Sequence, residues 1–239
     1  MRRDVLVLCY HAVSERWDAD LSVTPERLER QLGLLVARGY RGTTLTAAAR
    51  ERPRGKTLVV TFDDAYRSVA ELAFGILSRL GLPGTVFAPT AFIGLERPMK
   101  WPGIDVWLGG PHESELRPMS WDQLGMLAEH GWEVGSHTRT HPRLIELDDR
   151  SLADELEGSR AACEARIGRC ESLAYPYGDH DDRVVEATRR AGYSVACTLP
   201  RRLNHTSAMR WPRVGIYYVD DDRRFRLKVS PVVRWLRSL

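Results

Sequence analysis

Two adjacent aspartates, Asp63 and Asp64, constrain this chain more than any other feature of its sequence. They close the motif Thr-Phe-Asp-Asp, which follows an apolar, β-branched run over residues 57–60 that is typical of a buried strand. Residues 66–74 carry apolar side chains at helical spacing, so the aspartates fall between a strand and a helix, at the edge where α/β proteins gather catalytic groups. Because side chains alternate along a strand, we expect the two carboxylates to have different roles. A helix N-cap is the alternative, but it would account for only one of them.

Strand-like and helix-like patterns alternate along the rest of the chain. Strands are predicted over residues 5–9, 40–45, 58–62, 85–88, 132–135, 172–175, 193–198 and 214–218. Helices are predicted over residues 25–38, 66–80, 120–130, 148–167 and 182–191. Regular alternation with short connections predicts a parallel sheet. Seven or eight strands in this length indicate an α/β fold, a distorted, TIM-barrel-like (β/α)7–8 barrel.

We expect a single domain over residues 1–239. A proline- and glycine-rich inserted loop at about 91–120 interrupts the alternation, and loops of this length are usually functional or mobile. The arginine-rich C-terminal tail at about 220–239 is predicted to be a helix packed on the barrel, with a membrane-surface helix as the alternative.

The bulk composition argues against several classes of protein. A net charge of +3 without a basic motif predicts no nucleic-acid partner. We find no apolar run long enough for a membrane span, and the run over residues 5–9 is too short for the core of a signal peptide. As the sequence stands, we expect a cytoplasmic protein, or an extracytoplasmic one if a leader was removed. The oligomeric state is left open.

The four cysteines do not follow a zinc-ribbon spacing. Cys9 lies in an apolar run and is expected to be a buried free thiol. The sequence leaves open whether Cys163 and Cys170 pair.

A second polar cluster, His137 and His141, directly follows the predicted strand over residues 132–135. We expect the two histidines to lie in a helical turn, where a spacing of four places both rings on one side. Imidazole is a common zinc ligand, and two histidines with one carboxylate leave a position open for water. The aspartates at an equivalent strand end favour a metal site over the alternative, two hydrogen-bonded polar side chains.

The third cluster is Tyr175-Pro176-Tyr177, at the end of the predicted strand over residues 172–175. Pro176 lacks a backbone N–H and restricts Tyr175 to extended backbone. Tyr177 then offers a backbone N–H in a stiff turn, which suits an oxyanion. A plain turn at the end of a strand is the alternative.

The three motifs, in this order, resemble those of the polysaccharide deacetylase family, also called carbohydrate esterase family four or the NodB-homology domain. The resemblance extends from residue 5 to about residue 218. It implies a distorted (β/α) barrel that binds one divalent metal, zinc before other divalent transition metals. It also implies Asp63 as the general base and the Tyr177 backbone N–H as an oxyanion donor. The metal ligands that it implies are Asp64, His137 and His141.

One position departs from the family pattern. Many members carry an orienting arginine where this chain has Ala174. A branch that resembles poly-N-acetylglucosamine deacetylases also lacks it and has a Tyr-His pair near the N-terminus, as in Tyr10-His11 here. We therefore expect Arg213 to replace the orienting arginine and His11 to be the general acid. His205 is the alternative acid.

The resemblance implies a metal-dependent hydrolase that removes acetyl groups from N-acetylated sugars of a polysaccharide or glycoconjugate. An O-acetyl carbohydrate esterase is the closest alternative, because the same site would cleave an ester more easily. A non-catalytic sugar-binding barrel is a second alternative, but such a protein would be expected to lose the metal ligands. Trp101, Trp107 or Trp121 is predicted to line a sugar-binding groove, with simple packing as the alternative.

Overall fold

The structure is a computed structural model that describes residues 3–200, 203 and 207–238. Eight parallel strands form a nearly closed barrel surrounded by helices, which confirms the predicted α/β, TIM-barrel-like fold. The strands, including a small separate pair (β2 and β3), are β1 (Arg3–Tyr10), β2 (Ala12–Val13), β3 (Ser22–Val23), β4 (Arg41–Thr43), β5 (Gly55–Phe62), β6 (Gly84–Ala88), β7 (Glu133–Ser136), β8 (Ser172–Ala174), β9 (Val195–Thr198), β10 (Trp211–Pro212) and β11 (Val214–Gly215). The α-helices are α1 (Pro25–Ala37), α2 (Leu45–Glu51), α3 (Phe74–Arg79), α4 (Trp121–Glu129), α5 (Asp149–Ile167), α6 (Asp182–Arg190), α7 (Asp222–Lys228) and α8 (Pro231–Leu236).

One short segment around Arg213 closes the barrel. The main sheet runs in the order β10-β9-β8-β7-β6-β5-β1-β11, and β4 pairs with the first half of β5. β10 pairs with β9 and β11 pairs with β1, and Arg213 is the single residue between them. The Arg213 N–H also donates to Thr198 O at 3.2 Å. The backbone of Arg213 is therefore fixed on both sides.

Side-chain alternation on β5 decides which of its residues enter the barrel. Val59 packs in a cluster with Val7 and Phe87 from neighbouring strands, whereas Val60 packs under the helices. Since the period of a strand is two residues, the same alternation carried past the end of β5 places Asp63 on the inner side. Asp63, the first of the two aspartates, therefore lies at the end of the barrel interior.

The secondary structure differs from the prediction in several places; the helix predicted over residues 66–80, for example, is a π-helix over Val69–Ala73 followed by α3. Helix α2 was not foreseen, because its run of small alanines shows little apolar periodicity. The last strand is shorter than predicted, since the chain turns at Tyr217, whose N–H donates to Asp220 Oδ2 at 2.8 Å. The tail forms two helices, because Pro231 restricts the residue before it and begins α8.

The inserted loop packs against the barrel and the site. It contains two 3-10 helices, Asp105–Trp107 and Glu113–Leu116. The Met119 N–H donates to Ala65 O at 2.9 Å, beside the aspartate pair. The loop is therefore anchored at the residue that follows the second aspartate.

All four cysteines are buried free thiols, so Cys163 and Cys170 are not bonded to each other. Among the described residues, we find no helix of the length and apolar character that crossing a membrane requires.

Candidate active site

The chain turns sharply where β5 ends, and this turn separates the two carboxylates. The Asp63 N–H still donates to Tyr10 O at 3.0 Å, as if the strand continued. Asp64 and Ala65 then adopt left-handed backbone, with φ of 67° and 49°. Aspartate tolerates this region better than most residues, whereas an alanine there indicates strain. The turn therefore increases the difference in direction between the two carboxylates that strand alternation predicts.

Asp63 is held by a buried two-point contact with Arg213. Arg213 Nη1 lies 2.6 Å from Asp63 Oδ1, and Nη2 lies 2.7 Å from Oδ2. Arg213 Nη1 also donates to Thr61 Oγ1 at 3.0 Å. Burial alone would raise the pKa of the Asp63 carboxyl, but the Arg213 guanidinium, with smaller contributions from His137 and His11, outweighs burial and holds that pKa well below its usual range. The structure therefore places Arg213 against the carboxylate that it was expected to orient.

His11 and Cys9 approach the same oxygen of Asp63. His11 Nε2 lies 4.0 Å from Asp63 Oδ2, and the Cys9 thiol donates to that oxygen at 3.3 Å. The His11 ring stacks on Tyr217, with centroids 6.5 Å apart. Burial lowers the pKa of His11, against the opposing effect of the Asp64 and Asp63 charges. At neutral pH the resting His11 ring is therefore mainly neutral.

Asp64 points away from Arg213 and faces the two histidines of the second motif. Its Oδ1 lies 3.4 Å from His137 Nε2 and 3.4 Å from His141 Nε2. The three side chains are buried, and one ligand atom from each lies within 4.8 Å of the others. The structure brings together the three residues predicted to bind a metal.

The backbone between the histidines is not the helical turn that we predicted. Thr138 and His141 have positive φ angles of 65° and 62°, so the segment is an irregular loop. The Thr138 N–H donates to Ser136 Oγ at 3.0 Å, and the His141 N–H donates to Thr138 Oγ1 at 3.1 Å. Hydroxyl side chains, rather than helical hydrogen bonds, therefore place both rings on one side.

The protonation states of Asp64, His137 and His141 suit the binding of a cation. His137 Nδ1 lies 2.7 Å from Ala174 O, and because a carbonyl only accepts, that nitrogen carries the proton. A neutral His137 ring then presents the lone pair of Nε2 to Asp64 Oδ1, which is buried and makes no hydrogen bond to the described chain. Burial also lowers the pKa of His141 to about 3, so its ring is neutral. Such an arrangement of lone pairs is what a divalent metal requires of its ligands.

In the metal-free protein, a proton can take the place of the cation. Burial would lower the pKa of His137, but the close contact with Asp64 and the charges of Asp63 and Asp64 outweigh burial and raise that pKa. His137 and Asp64 can therefore share a proton until a metal displaces it.

The third motif lies beside His141. Tyr177 has a φ of 59°, and its ring lies edge-on to His141 with centroids 4.7 Å apart. The N–H groups of Gly178 and Asp179 form the hydrogen bonds of the turn, which leaves the Tyr177 N–H without an acceptor in the described part of the chain. An N–H free at the edge of the site is what an oxyanion donor requires.

Of the three tryptophans considered for a sugar groove, Trp101 is the one that contacts the site. It stacks on His141, with centroids 4.3 Å apart, and is 6% exposed. Trp107 packs edge-on against Trp17, and Trp121 lies under the guanidinium of Arg166. These contacts favour packing for Trp107 and Trp121.

Sequence reasoning missed one neighbour of Asp63. It also considered one histidine that the structure does not describe. Cys9 was expected to be only a buried thiol, yet it pairs in register with Thr61 on β5 and reaches the aspartate. Strand alternation places Cys9 on the same side of β1 as Val7, but the register of β1 with β5, which sets Cys9 beside Asp63, is not specified by the sequence. His205, the alternative acid, lies outside the described residues.

Fold and site together define a parallel α/β barrel whose carboxyl rim carries a buried aspartate–histidine group and a second aspartate held by arginine. A family model described as "Polysaccharide deacetylase" matches residues 50–196, more than half of the chain, and the chain belongs to this family. The resemblance drawn from the three motifs is thereby confirmed.

Curated relatives and solved structures agree with this assignment. The chain is 25% identical over 198 residues to a poly-beta-1,6-N-acetyl-D-glucosamine N-deacetylase of Staphylococcus epidermidis, and the alignment covers 76% of this chain and 62% of that protein. It is 24% identical over 198 residues to the putative polysaccharide deacetylase YxkH of Bacillus subtilis, and this alignment covers 80% of this chain and 63% of that protein. The chain therefore spans less than two thirds of the length of these relatives.

Two solved structures share the fold. IcaB from Ammonifex degensii has a TM-score of 0.73 and 25% identity, with coverage of 99% of this chain and 98% of that one. The polysaccharide deacetylase BC0361 from Bacillus cereus has a TM-score of 0.77 and 24% identity, with coverage of 95% and 69%.

Proposed function

We propose that this protein is a metal-dependent deacetylase that hydrolyses N-acetyl groups on the sugars of a polysaccharide or glycoconjugate. One observation carries the proposal: Asp63, a carboxylate in two-point contact with a buried arginine, adjoins a separate group of three buried side chains whose ligand atoms lie within 4.8 Å of one another. The N-deacetylase named among the relatives supports an amide rather than an ester substrate.

The site addresses both difficulties of amide hydrolysis, a weakly electrophilic carbonyl and a poor leaving group. When bound to Asp64, His137 and His141, a divalent metal such as zinc polarises the acetyl carbonyl and acidifies water. Asp63 accepts the proton of the attacking water as the water oxygen bonds to the carbonyl carbon. Arg213 keeps that carboxylate ionised. Because it contacts both carboxylate oxygens, it also prevents the carboxylate from rotating.

The chain also provides for the developing oxyanion and the departing nitrogen. The backbone N–H of Tyr177 donates to the oxyanion. His11 then gives a proton to the nitrogen as the carbon–nitrogen bond breaks, which yields acetate and a free amine. Since burial keeps the resting His11 ring mainly neutral, the proton taken up by Asp63, 4.0 Å away, is the source that we assign.

Acetate release from a panel of substrates tests the proposal. The panel contains oligomers of N-acetylglucosamine, acetylated xylan and simple acetylated sugars, each assayed with chelator-treated protein and again after zinc is restored. We expect zinc-dependent release of acetate from the N-acetylated oligomers. Release from O-acetyl substrates alone would identify an esterase, and oligosaccharide binding without any release would identify a sugar-binding barrel.

A further inference from the structure

We propose that Cys9, His11 and Asp63 form a second metal site, which binds zinc or a similar thiophilic divalent cation and inhibits the enzyme. This site is separate from the group of Asp64 and the two histidines, although the two sites adjoin through neighbouring aspartates. Its inhibitory effect rests on the proposed function, whereas its existence does not.

The geometry of the three side chains is close to that of a zinc site. Cys9 Sγ lies 3.3 Å from Asp63 Oδ2, His11 Nε2 lies 4.0 Å from the same oxygen, and one ligand atom from each residue lies within 4.8 Å of the others. Tetrahedral zinc, with bonds of about 2.0–2.3 Å, places its ligand atoms about 3.3–3.6 Å apart. A small movement of the His11 ring therefore completes three corners of a tetrahedron.

The chemistry of the donors selects the metal. A thiolate, an imidazole and a carboxylate are the ligand types that zinc combines, whereas magnesium and calcium prefer oxygen alone. The His11 ring is available, because its Nδ1 is buried without a hydrogen-bond partner in the described chain and its Nε2 lies beyond hydrogen-bond distance of Asp63. His137, by contrast, is fixed by the Ala174 carbonyl.

Arg213 opposes the second cation but does not exclude it. The guanidinium contacts both oxygens of Asp63, at 2.6 and 2.7 Å. A carboxylate oxygen has two lone pairs, so Oδ2 can bind a metal through one lone pair and still accept from Arg213 Nη2 through the other, once Cys9 no longer donates to it. The positive charge of Arg213 and the proton that Cys9 must lose both weaken binding, so we expect this site to fill after the first one.

A cation at this site would occupy the atoms that the proposed reaction uses. It would bind Asp63 Oδ2, the proton acceptor, and His11 Nε2, the proton donor. Zinc in excess of one equivalent should therefore reduce turnover by about the 10²–10⁴-fold that acid–base groups contribute, as the second site saturates.

Cobalt titration of the metal-free protein tests the site directly, because a thiolate bound to Co²⁺ gives a charge-transfer absorption in the near ultraviolet. We expect wild-type protein to bind two cobalt ions, the second with this absorption. Cys9→Ser should bind one ion without it. Cys197→Ser is the matched control, since Cys197 is also a buried thiol near Arg213 but lies outside the group, and it should behave like wild type.

Two further variants separate this proposal from the proposed function. His11→Ala should also lose the second cobalt ion, and His141→Ala should weaken the first site while keeping the thiolate absorption. Inhibition is measured within each protein as the ratio of rates at excess and at stoichiometric zinc, and Cys9→Ser should lose most of that inhibition. A single cobalt ion without thiolate absorption in wild type, or two ions retained in Cys9→Ser, would overturn the second site even if the protein is an active deacetylase.

Discussion

Replacing Arg213 by methionine should destabilise the protein strongly, because it leaves the Asp63 carboxylate buried and unpaired. The two side chains are 1% and 2% exposed, and two close contacts join them. Removal of one partner of a buried ion pair costs roughly 3–5 kcal/mol. For a chain of this size each kcal/mol corresponds to roughly 2–4 °C in melting temperature, so the expected loss at pH 7 is about 6–20 °C.

The effect of pH on this loss has a defined sign. In the wild-type protein the pKa of Asp63 is lowered by Arg213, so the pair stabilises the protein above the ordinary carboxyl pKa, 3.8, and this stability is lost as pH falls below it. In Arg213→Met the burial remains and raises the pKa of Asp63. The variant should then be relatively most stable at low pH and should lose stability as pH rises through the raised pKa.

Thermal unfolding at pH 7 measures the loss, and comparison with pH 4 shows whether the variant gains relative stability when Asp63 is protonated. Arg213→Lys is the matched control, since it keeps the charge but loses the two-point contact, and it should lie between wild type and Arg213→Met. Arg213→Met combined with Asp63→Asn should be more stable than the sum of the single changes predicts, by roughly 0.5–3 kcal/mol. A loss below about 1 kcal/mol at pH 7, the range of exposed ion pairs, would refute the buried pair.

Three further predictions concern individual side chains of the site. His141→Ala should lower metal affinity by more than the roughly 10–100-fold typical of an outer partner, and unchanged metal content after dialysis would remove His141 from the ligands. His11→Ala should slow amide hydrolysis by about 10²–10⁴-fold and spare an ester whose leaving group needs little protonation; equal losses on both substrates would argue against an acid role. Trp101→Ala should destabilise the protein by about 3–5 kcal/mol and change KM equally for an oligomer and a minimal substrate, because Trp101 is buried against His141; a larger change for the oligomer would favour direct contact with the sugar.

The sequence allowed the barrel and the place of each motif to be predicted, because strands and caps depend on local patterns. The apolar run before Asp63 gives β5, and Ser120 with Gln123 forms the capping box that begins α4. The separation of the two aspartates also follows from strand alternation. These features require no knowledge of distant contacts.

What escaped prediction depends on contacts between distant parts of the chain. The loop of His137 and His141 resembles a helical turn in spacing, but hydroxyl groups and left-handed backbone give it a different shape. The position of Cys9 beside Asp63 depends on the register of β1 with β5, which a single sequence does not specify. The contact of Arg213 with Asp63 spans 150 residues, and only the missing arginine at Ala174 gave a reason to look for it.

Turnover by Asp63→Asn protein loaded with one equivalent of zinc tests directly whether Asp63 transfers the proton. Asp63 is proposed to transfer a proton and not to hold the first metal, so the variant should bind zinc at that site as wild type does. It should release acetate from oligomers of N-acetylglucosamine about 10²–10⁴-fold more slowly than the wild-type protein. A near-normal rate in the zinc-loaded variant would contradict the proposed role of Asp63, and no acetate release by zinc-loaded wild-type protein would contradict the proposed deacetylase activity.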